Sequence, residues 1–295
     1  KTGAWILTFV VFSTYFWTHK DVPLYRYIRT DLGEALSYLQ NRYKDLMPQW
    51  QALPAHSFRL MNFESRLGFW AVDSGIDLAF DPWLDSSSSR RLTRYLSKAF
   101  KVEVDPDVGE WIPNPVSPAY LNFESPLLDI YNVRFINGQI RLKSRYEPTQ
   151  DPSVVENKLA MPRIFFTSGA KVFASSDELL EALGSATREE LTQSVFLSEK
   201  VEPKAPGIPR AHYKILEQGR DRWSLQVESD GPAFLNVSEL WFPAWRARLN
   251  GKSVPLLRGY DTFWTVAING GKSEVVFEYS EPWWKVGLFL SLLTI

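Results

Sequence analysis

The chain of 295 residues contains no cysteine, and that absence removes thiolate metal sites, disulfides, iron–sulfur ligation and cysteine nucleophiles together. Histidine is almost as scarce: His19, His56 and His212 leave little for a histidine metal centre and stand in no constellation with Ser and Asp. Net charge is −1, from 33 basic and 34 acidic residues, so there is no basic excess to hold a phosphate backbone and nucleic acid is not an expected partner. The turn glycines Gly231, Gly251, Gly270 and Gly271 keep no phosphate-loop or dinucleotide spacing, no Gly-x-Ser-x-Gly elbow occurs, and no cofactor is expected. Internal repeats are missing too, which argues against a solenoid or propeller. Lack of disulfides leaves the compartment open.

What the chain has in abundance is aromatic surface. Aromatics make up 15% of it, and of the 12 tryptophans half follow residue 220, a loading that suits a thick sandwich core, sugar stacking or a membrane interface. Both ends are apolar. Ala4 to Trp17 is uncharged, opens behind Lys1 without an initiator Met, and ends in Tyr15-Phe16-Trp17, as a spanning helix does where it meets headgroups. Trp283-Trp284-Lys285 repeats this in reverse before the apolar run Val286 to Ile295. Each run is shorter than the roughly 20 residues a span needs. We therefore expect 1–18 to be the end of one transmembrane helix and 283–295 the start of another, with the region between on one face of the bilayer. Two buried core elements of a soluble protein are the alternative that these lengths permit.

Between the ends, Asp31 to Tyr43 carries a helical apolar stripe behind Asp31-x-x-Glu34. A strand is expected over 56–63, a helix over 87–100 with Leu92, Tyr95, Leu96, Ala99 and Phe100 on one face, and a short helix feeding a strand over 125–136. Further strands are expected over 139–146, 161–166 and 194–197, with a helix opening at Ser175-x-x-Glu178 and stopping at Gly184. Residues 201–210 hold three prolines and a glycine and make the best linker. The expected organisation is an α+β domain over 19–204 and an all-β sandwich over 205–282, a mixed α+β fold class. In the second part the period becomes two: Trp223, Leu225, Val227; Trp245, Ala247, Leu249; Trp264, Val266, Ile268; Val275, Phe277, Tyr279. Asn250-Gly251 and Asn269-Gly270 predict hairpins over about 244–257 and 262–280.

Residues 240–287, LWFPAWRARLNGKSVPLLRGYDTFWTVAINGGKSEVVFEYSEPWWKVG, resemble the closing segment of YfhO-like bacterial polytopic membrane proteins. Two further segments are similar to that family in the same order, SPLLDIYNVRFI at 125–136 and LAMPRIFFTSGAKV at 159–172; the family usually shows small residues where Ile130-Tyr131-Asn132 stands here. The family is grouped with C-type glycosyltransferases. The resemblance implies a bacterial inner-membrane protein with this region on the extracytoplasmic face, and a sugar taken from a polyprenyl-phosphate carrier for an envelope glycan acceptor. It implies as well that the catalytic carboxylate belongs to an early extracytoplasmic loop outside this sequence, so no catalytic residue carries over. A non-catalytic ectodomain that binds envelope glycan or protein partners is the alternative.

Candidate binding residues follow from chemistry and position. Arg26 and Arg29, flanked by Tyr25 and Tyr27 next to the first apolar run, suit a lipid phosphate, because guanidinium groups grip phosphate bidentately. Arg90, Arg94 and Lys98 recur every four residues and form a basic stripe able to lie on headgroups, or to be an ordinary solvated helix face. Asp73, Asp77, Asp81 and Asp85 would stack on one helix face, but Gly75 and Pro82 interrupt it, and separate turn and cap roles are the simpler reading. Asp81 from this series and Trp241 are the residues assigned to glycan, whereas the alternation turns Trp245 and Trp264 toward a core. Asp105-Pro106-Asp107 is a weak Asp-x-Asp match, and no metal site is expected.

Overall fold

The computed structural model describes residues 48, 50, 52–54, 57–62, 77–80, 90–101, 121–138, 145–199 and 210–280. The chain divides into two compact units, residues 51–280 and residues 1–50 with 281–295. All the helices and strands named here belong to the unit 51–280. Among the described residues 47% are in strands and 20% in helices, so the domain is β-rich.

The amphipathic stripe read at 87–100 folds as helix α1, Arg90–Phe100, and buries Leu92, Tyr95, Leu96, Ala99 and Phe100. Helix α2, Pro126–Ile130, starts where the Ser125 hydroxyl accepts from the Leu127 N–H and Pro126 supplies a pre-set φ; all its apolar side chains after the proline are buried. It feeds β3, Val133–Asn137. Strands β1 (Arg59–Asn62) and β2 (Asp77–Phe80) run parallel beside β3, while β4 (Tyr146–Pro148) and β5 (Val154–Asn157) complete a mixed sheet in the order β2-β1-β3-β5-β4. Asp77 thus lies in a strand, and the four aspartates do not share one helix face, as the interruptions at Gly75 and Pro82 imply.

Strand β6, Ile164–Thr167, leads into β7, Gly169–Val172. Helix α3, Ser176–Ser185, is capped by Ser175 as its sequence predicts, and Gly184 lies inside its last turn rather than beyond it. Helix α4, Arg188–Gln193, is an element the sequence pattern did not predict, although it opens on a full capping box between Thr187 and Glu190. Strand β8, Ser194–Leu197, then returns parallel to β7.

The C-terminal part holds β9 (Ala211–Gln218), β10 (Arg222–Ser229), β11 (Ala233–Leu240), β12 (Trp245–Leu249), β13 (Lys252–Val254), β14 (Leu257–Gly259), β15 (Phe263–Ile268) and β16 (Gly271–Tyr279). They form two sheets, β13-β12-β16-β10-β9 and β14-β15-β11-β6. Trp223, Leu225 and Val227 of one sheet and Leu235, Val237, Trp264 and Val266 of the other share one apolar layer. The far side of the four-stranded sheet carries Phe165, Phe234 and Phe263 into a second layer with α1, α2 and α3. A sheet covered on both faces explains why β11 and β15 read as near-continuous apolar runs and not as strict alternation. Strand β6, from before the segment 201–210, is the edge strand of this sheet, so the sequence boundary near 205 is crossed by backbone pairing.

Asn250-Gly251 makes its hairpin: both residues have positive φ, 51° and 78°, and β12 pairs with β13. Asn269-Gly270 does not. Strand β15 pairs with β11 and β14, whereas β16 pairs with β10 and β12, so this turn carries the chain from one sheet to the other. A turn is present where the dipeptide predicts one, but dipeptides report local dihedrals and say nothing about which partners the flanking strands find.

Candidate functional site

Tyr213 and Ile215 lie opposite Val227 and Leu225 in the β9–β10 ladder and so point to the same side as these core residues. Strand β9 is the last of its sheet and β6 the last of the facing one, and Tyr213 meets the ring of Phe166 across the gap, 6.4 Å away. The apolar layer therefore opens at this edge. Tyr213 and Ile215 remain 37% and 40% exposed, and together with Ile164 and Trp223 they form the apolar wall of a cavity of about 530 Å³.

The rest of the lining mixes polar and apolar residues and comes mainly from three stretches: Leu53, Pro54 and Ser57, the end of α2 into β3 (Asn132, Arg134), and the segment between β5 and β6 (Glu156 to Arg163). Arg134 Nε and Lys158 Nζ donate to opposite oxygens of Glu156 at 2.9 and 2.8 Å. Burial works against the charge on Glu156, but the hydrogen bonds from Lys158 and Arg134 outweigh it and hold the carboxyl below its ordinary range. Arg163 lies over Trp223 at 5.8 Å and pairs with Glu239. Glu239 is shared with the buried Arg59, which also donates to the Tyr131 carbonyl at 2.9 Å and to Ser238 Oγ at 3.0 Å.

Asn132 holds a left-handed conformation, φ 62°, which lets the chain turn sharply out of α2. Its side-chain amide donates to the Met161 carbonyl at 2.7 Å and so ties two of these stretches together. Behind it Asn157 donates to Asp129 Oδ1 at 2.8 Å and to the Val133 carbonyl at 3.0 Å, and Asp129 is paired with Arg145 and, at 3.4 Å, with Arg188. Two side-chain oxygens of residues that line the cavity, Asn132 Oδ1 and Ser57 Oγ, are buried without a hydrogen-bond partner. Groups in that state gain a full hydrogen bond from any ligand donor that reaches them.

This set of residues suits binding better than acid–base catalysis. Glu156 is the one carboxylate among the described lining residues, and both its oxygens are already engaged. A mainly apolar wall with an aromatic platform and a few fixed polar groups is the usual make-up of a small-molecule or sugar site. Among the described residues no three His, Asp or Glu side chains come together to hold a metal ion.

The residues singled out from sequence fall elsewhere. Arg94 and Lys98 form ion pairs with Asp177 and Glu181 of α3, so the basic stripe meets an acidic one on the neighbouring helix. Arg90 opens α1, but its side chain lies outside the described residues, as do Arg26, Arg29, Asp81 and Asp105 to Asp107 in full. Trp241 does not line the cavity. The guanidinium groups of Arg258 and Arg91 lie over its ring at 5.4 and 6.0 Å, and its Nε1 donates to the Leu256 carbonyl at 3.1 Å. Trp264 is buried and Trp245 half-buried, with their rings 4.4 Å apart. The lining residues Asn132, Asn157, Arg163, Tyr213 and Trp223 were missed as a group; the one signal for them was that two of the segments carrying the family resemblance supply Asn132, Arg134 and Ala160 to Ile164. Among the described residues no helix is long and apolar enough to cross a membrane; both apolar runs lie outside them. No family model matches the chain, and no curated protein or solved structure matches it either.

Proposed function

We propose that this chain is the glycan-holding extracytoplasmic part of a multi-pass bacterial inner-membrane protein similar to the YfhO-like family, an α+β region and a β-sandwich flanked by membrane segments at 1–18 and 283–295. In this reading the membrane part transfers a sugar from a polyprenyl-phosphate carrier, and the cavity holds the envelope glycan that accepts it. The observation that carries the reading is the cavity itself: its lining combines the exposed Tyr213 ring with Asn132 and Ser57, whose buried side-chain oxygens have no hydrogen-bond partner. Support comes also from its origin, since two of the three segments that resemble the family supply part of its lining, Asn132, Arg134 and Ala160 to Ile164. With Glu156 locked by Arg134 and Lys158, the work assigned to these residues is positioning, and the chemistry is left to the membrane part.

The test is direct titration of the full chain, reconstituted in nanodiscs, with neutral and acidic oligosaccharides, comparing wild type with Tyr213→Ala. Loss of the exposed ring should weaken binding about tenfold, the equivalent of about 1.4 kcal/mol, with thermal unfolding unchanged. Equal binding by the variant, or none by either protein, overturns the reading. Sugar transfer by the complete protein in membranes then separates the transferase setting from a non-catalytic ectodomain.

A further inference from the structure

Phe242 and Tyr279 are 44% and 47% exposed, and they stand at the same end of the C-terminal sheets. Trp245 pairs with Tyr279 across β12 and β16, their rings meeting edge to face at 5.5 Å. Phe242-Pro243 begins a tight turn closed by the Trp245 N–H on the Phe242 carbonyl at 3.1 Å, with proline at the position where its fixed φ helps. The turn is pinned to the end of β16 by the Ser280 N–H on the Ala244 carbonyl, and β16 to the β9–β10 turn by the Tyr279 N–H on the Asp221 carbonyl, both 2.8 Å. Arg246 folds back on this turn and donates to the Pro243 and Trp245 carbonyls. Three aromatic rings and a guanidinium are thus held on a rigid corner where the sandwich core runs out.

Isolated exposed apolar residues are ordinary on a protein surface, and Leu159 and Val172 are examples here. The corner differs from them in composition and in the sequence next to it. Aromatic rings with polar edges beside a basic group are the residues that favour the headgroup level of a bilayer. Directly after Ser280 the sequence reads Glu281-Pro282-Trp283-Trp284-Lys285 and then ten apolar residues, Val286 to Ile295. Two prospective interfacial tryptophans therefore begin three residues further along the sequence.

We infer that the corner formed by Phe242, Trp245, Arg246 and Tyr279 is a membrane-docking surface that rests in the headgroup layer. Docking there fixes the tilt of the domain on the bilayer. Gln218 and Trp223 of the cavity wall pair with each other next to Phe277, two residues before Tyr279, whereas Tyr213 pairs with Val227 next to Ser273, so the cavity runs along the five-stranded sheet away from the docking corner. The inference rests on the membrane-anchored part of the proposed function and is independent of what the cavity binds.

The absence of cysteine makes the test clean. Single cysteines at Phe242, Arg246 and Tyr279, with Lys272→Cys as the remote control, are labelled with an environment-sensitive fluorophore. The labelled full chain is then reconstituted into phosphatidylethanolamine–phosphatidylglycerol vesicles that carry a headgroup nitroxide lipid. Lys272 is seven residues from Tyr279 along β16, about 23 Å at 3.3 Å per residue, so it lies beyond contact quenching. Quenching at least about twofold stronger at 242, 246 and 279 than at 272 supports docking. Equal weak quenching at all four positions overturns it, as does a signal that depends on protein concentration and ignores the nitroxide, which would identify a second copy of the chain as the occupant. Alkali extraction of the same membranes keeps the readings apart: a chain that is not retained fails the anchor and the proposed function together, whereas a retained chain with aqueous labels fails the docking surface alone. Unfolding midpoints within a few degrees of wild type check each cysteine variant, and Arg246→Cys, on an exposed side chain, serves if an aromatic replacement does not fold.

Discussion

Asp129 and Arg145 meet in the interior as an ion pair with side chains 0% and 7% exposed. Asp129 belongs to α2 and Arg145 stands just before β4, and Asn157 at the end of β5 joins them, so one carboxylate ties together a helix and two strands behind the cavity. Removal of one partner from a buried pair leaves the other uncompensated, which costs about 3–5 kcal/mol. Arg145→Ala should therefore destabilise the domain by that amount in chemical denaturation, and Arg145→Met with Asp129→Asn should cost clearly less. Burial already pushes the Asp129 carboxyl up, against the lowering by Asn157, Arg145 and Arg188. A carboxyl raised in the folded state holds its proton more tightly than the unfolded chain does. The deficit of Arg145→Ala should accordingly grow as pH rises above the ordinary carboxylate range and shrink as pH falls into it.

At the surface the sign is reversed. The Lys171 ammonium, helped by the backbone N–H and hydroxyl of Thr187, holds the Glu190 carboxyl down at about 2. An acid depressed in this way contributes stability that is complete above its unfolded value, near 4.3, and is lost as pH falls toward the folded one. Denaturation midpoints measured between about pH 5 and pH 2 should fall less steeply for Lys171→Met than for wild type. Parallel curves would show that the pair does not form in solution.

Two glycines in similar-looking turns are required for different reasons. Gly251 has φ 78° with open space around it, so Gly251→Val should cost about 1–3 kcal/mol purely through backbone strain. Gly270 has ordinary φ, but an added Cβ would stand 3.2 Å from the Gly231 Cα and 3.4 Å from its amide nitrogen. Gly270→Ala should then be destabilising and rescued by no φ-tolerant residue, while at position 251 asparagine or aspartate should recover part of the loss. Thermal unfolding of this set of four variants checks the distinction.

How much was legible depends on how local each signal is. Helix α1 and the cap of α3 were readable because an apolar stripe and an N-cap serine act within one or two turns. The hairpin at Asn250-Gly251 was readable for the same reason. Strand β9 was not, since an edge strand whose middle residues are all exposed need not alternate. The tight turn at Tyr260-Asp261 was hidden too: both residues have positive φ without a glycine, and the conformation is held from a distance by the Tyr260 hydroxyl on the Leu191 carbonyl and by Ser176 and Arg91 on Asp261. The cavity was least legible of all. Its walls come from five separate stretches whose only common feature is that two sheet edges leave a gap between them.

Asn132 is where local and distant requirements meet, and it gives the sharpest test. At φ 62° glycine would sit freely, and asparagine is among the few side chains that tolerate this conformation. Asn132→Val should cost at least about 2 kcal/mol, since a β-branched residue resists positive φ, and the hydrogen bond to the Met161 carbonyl is lost as well. Asn132→Gly keeps the turn and loses only that bond and Oδ1, so its cost should stay near 1 kcal/mol. If the unpartnered Oδ1 exists to meet a ligand, the glycine variant must nevertheless bind glycan severalfold more weakly than wild type. Denaturation and oligosaccharide titration of the same two variants decide between a residue kept for its backbone and a residue kept for its side chain: glycine equal to wild type in binding assigns Asn132 to the turn alone.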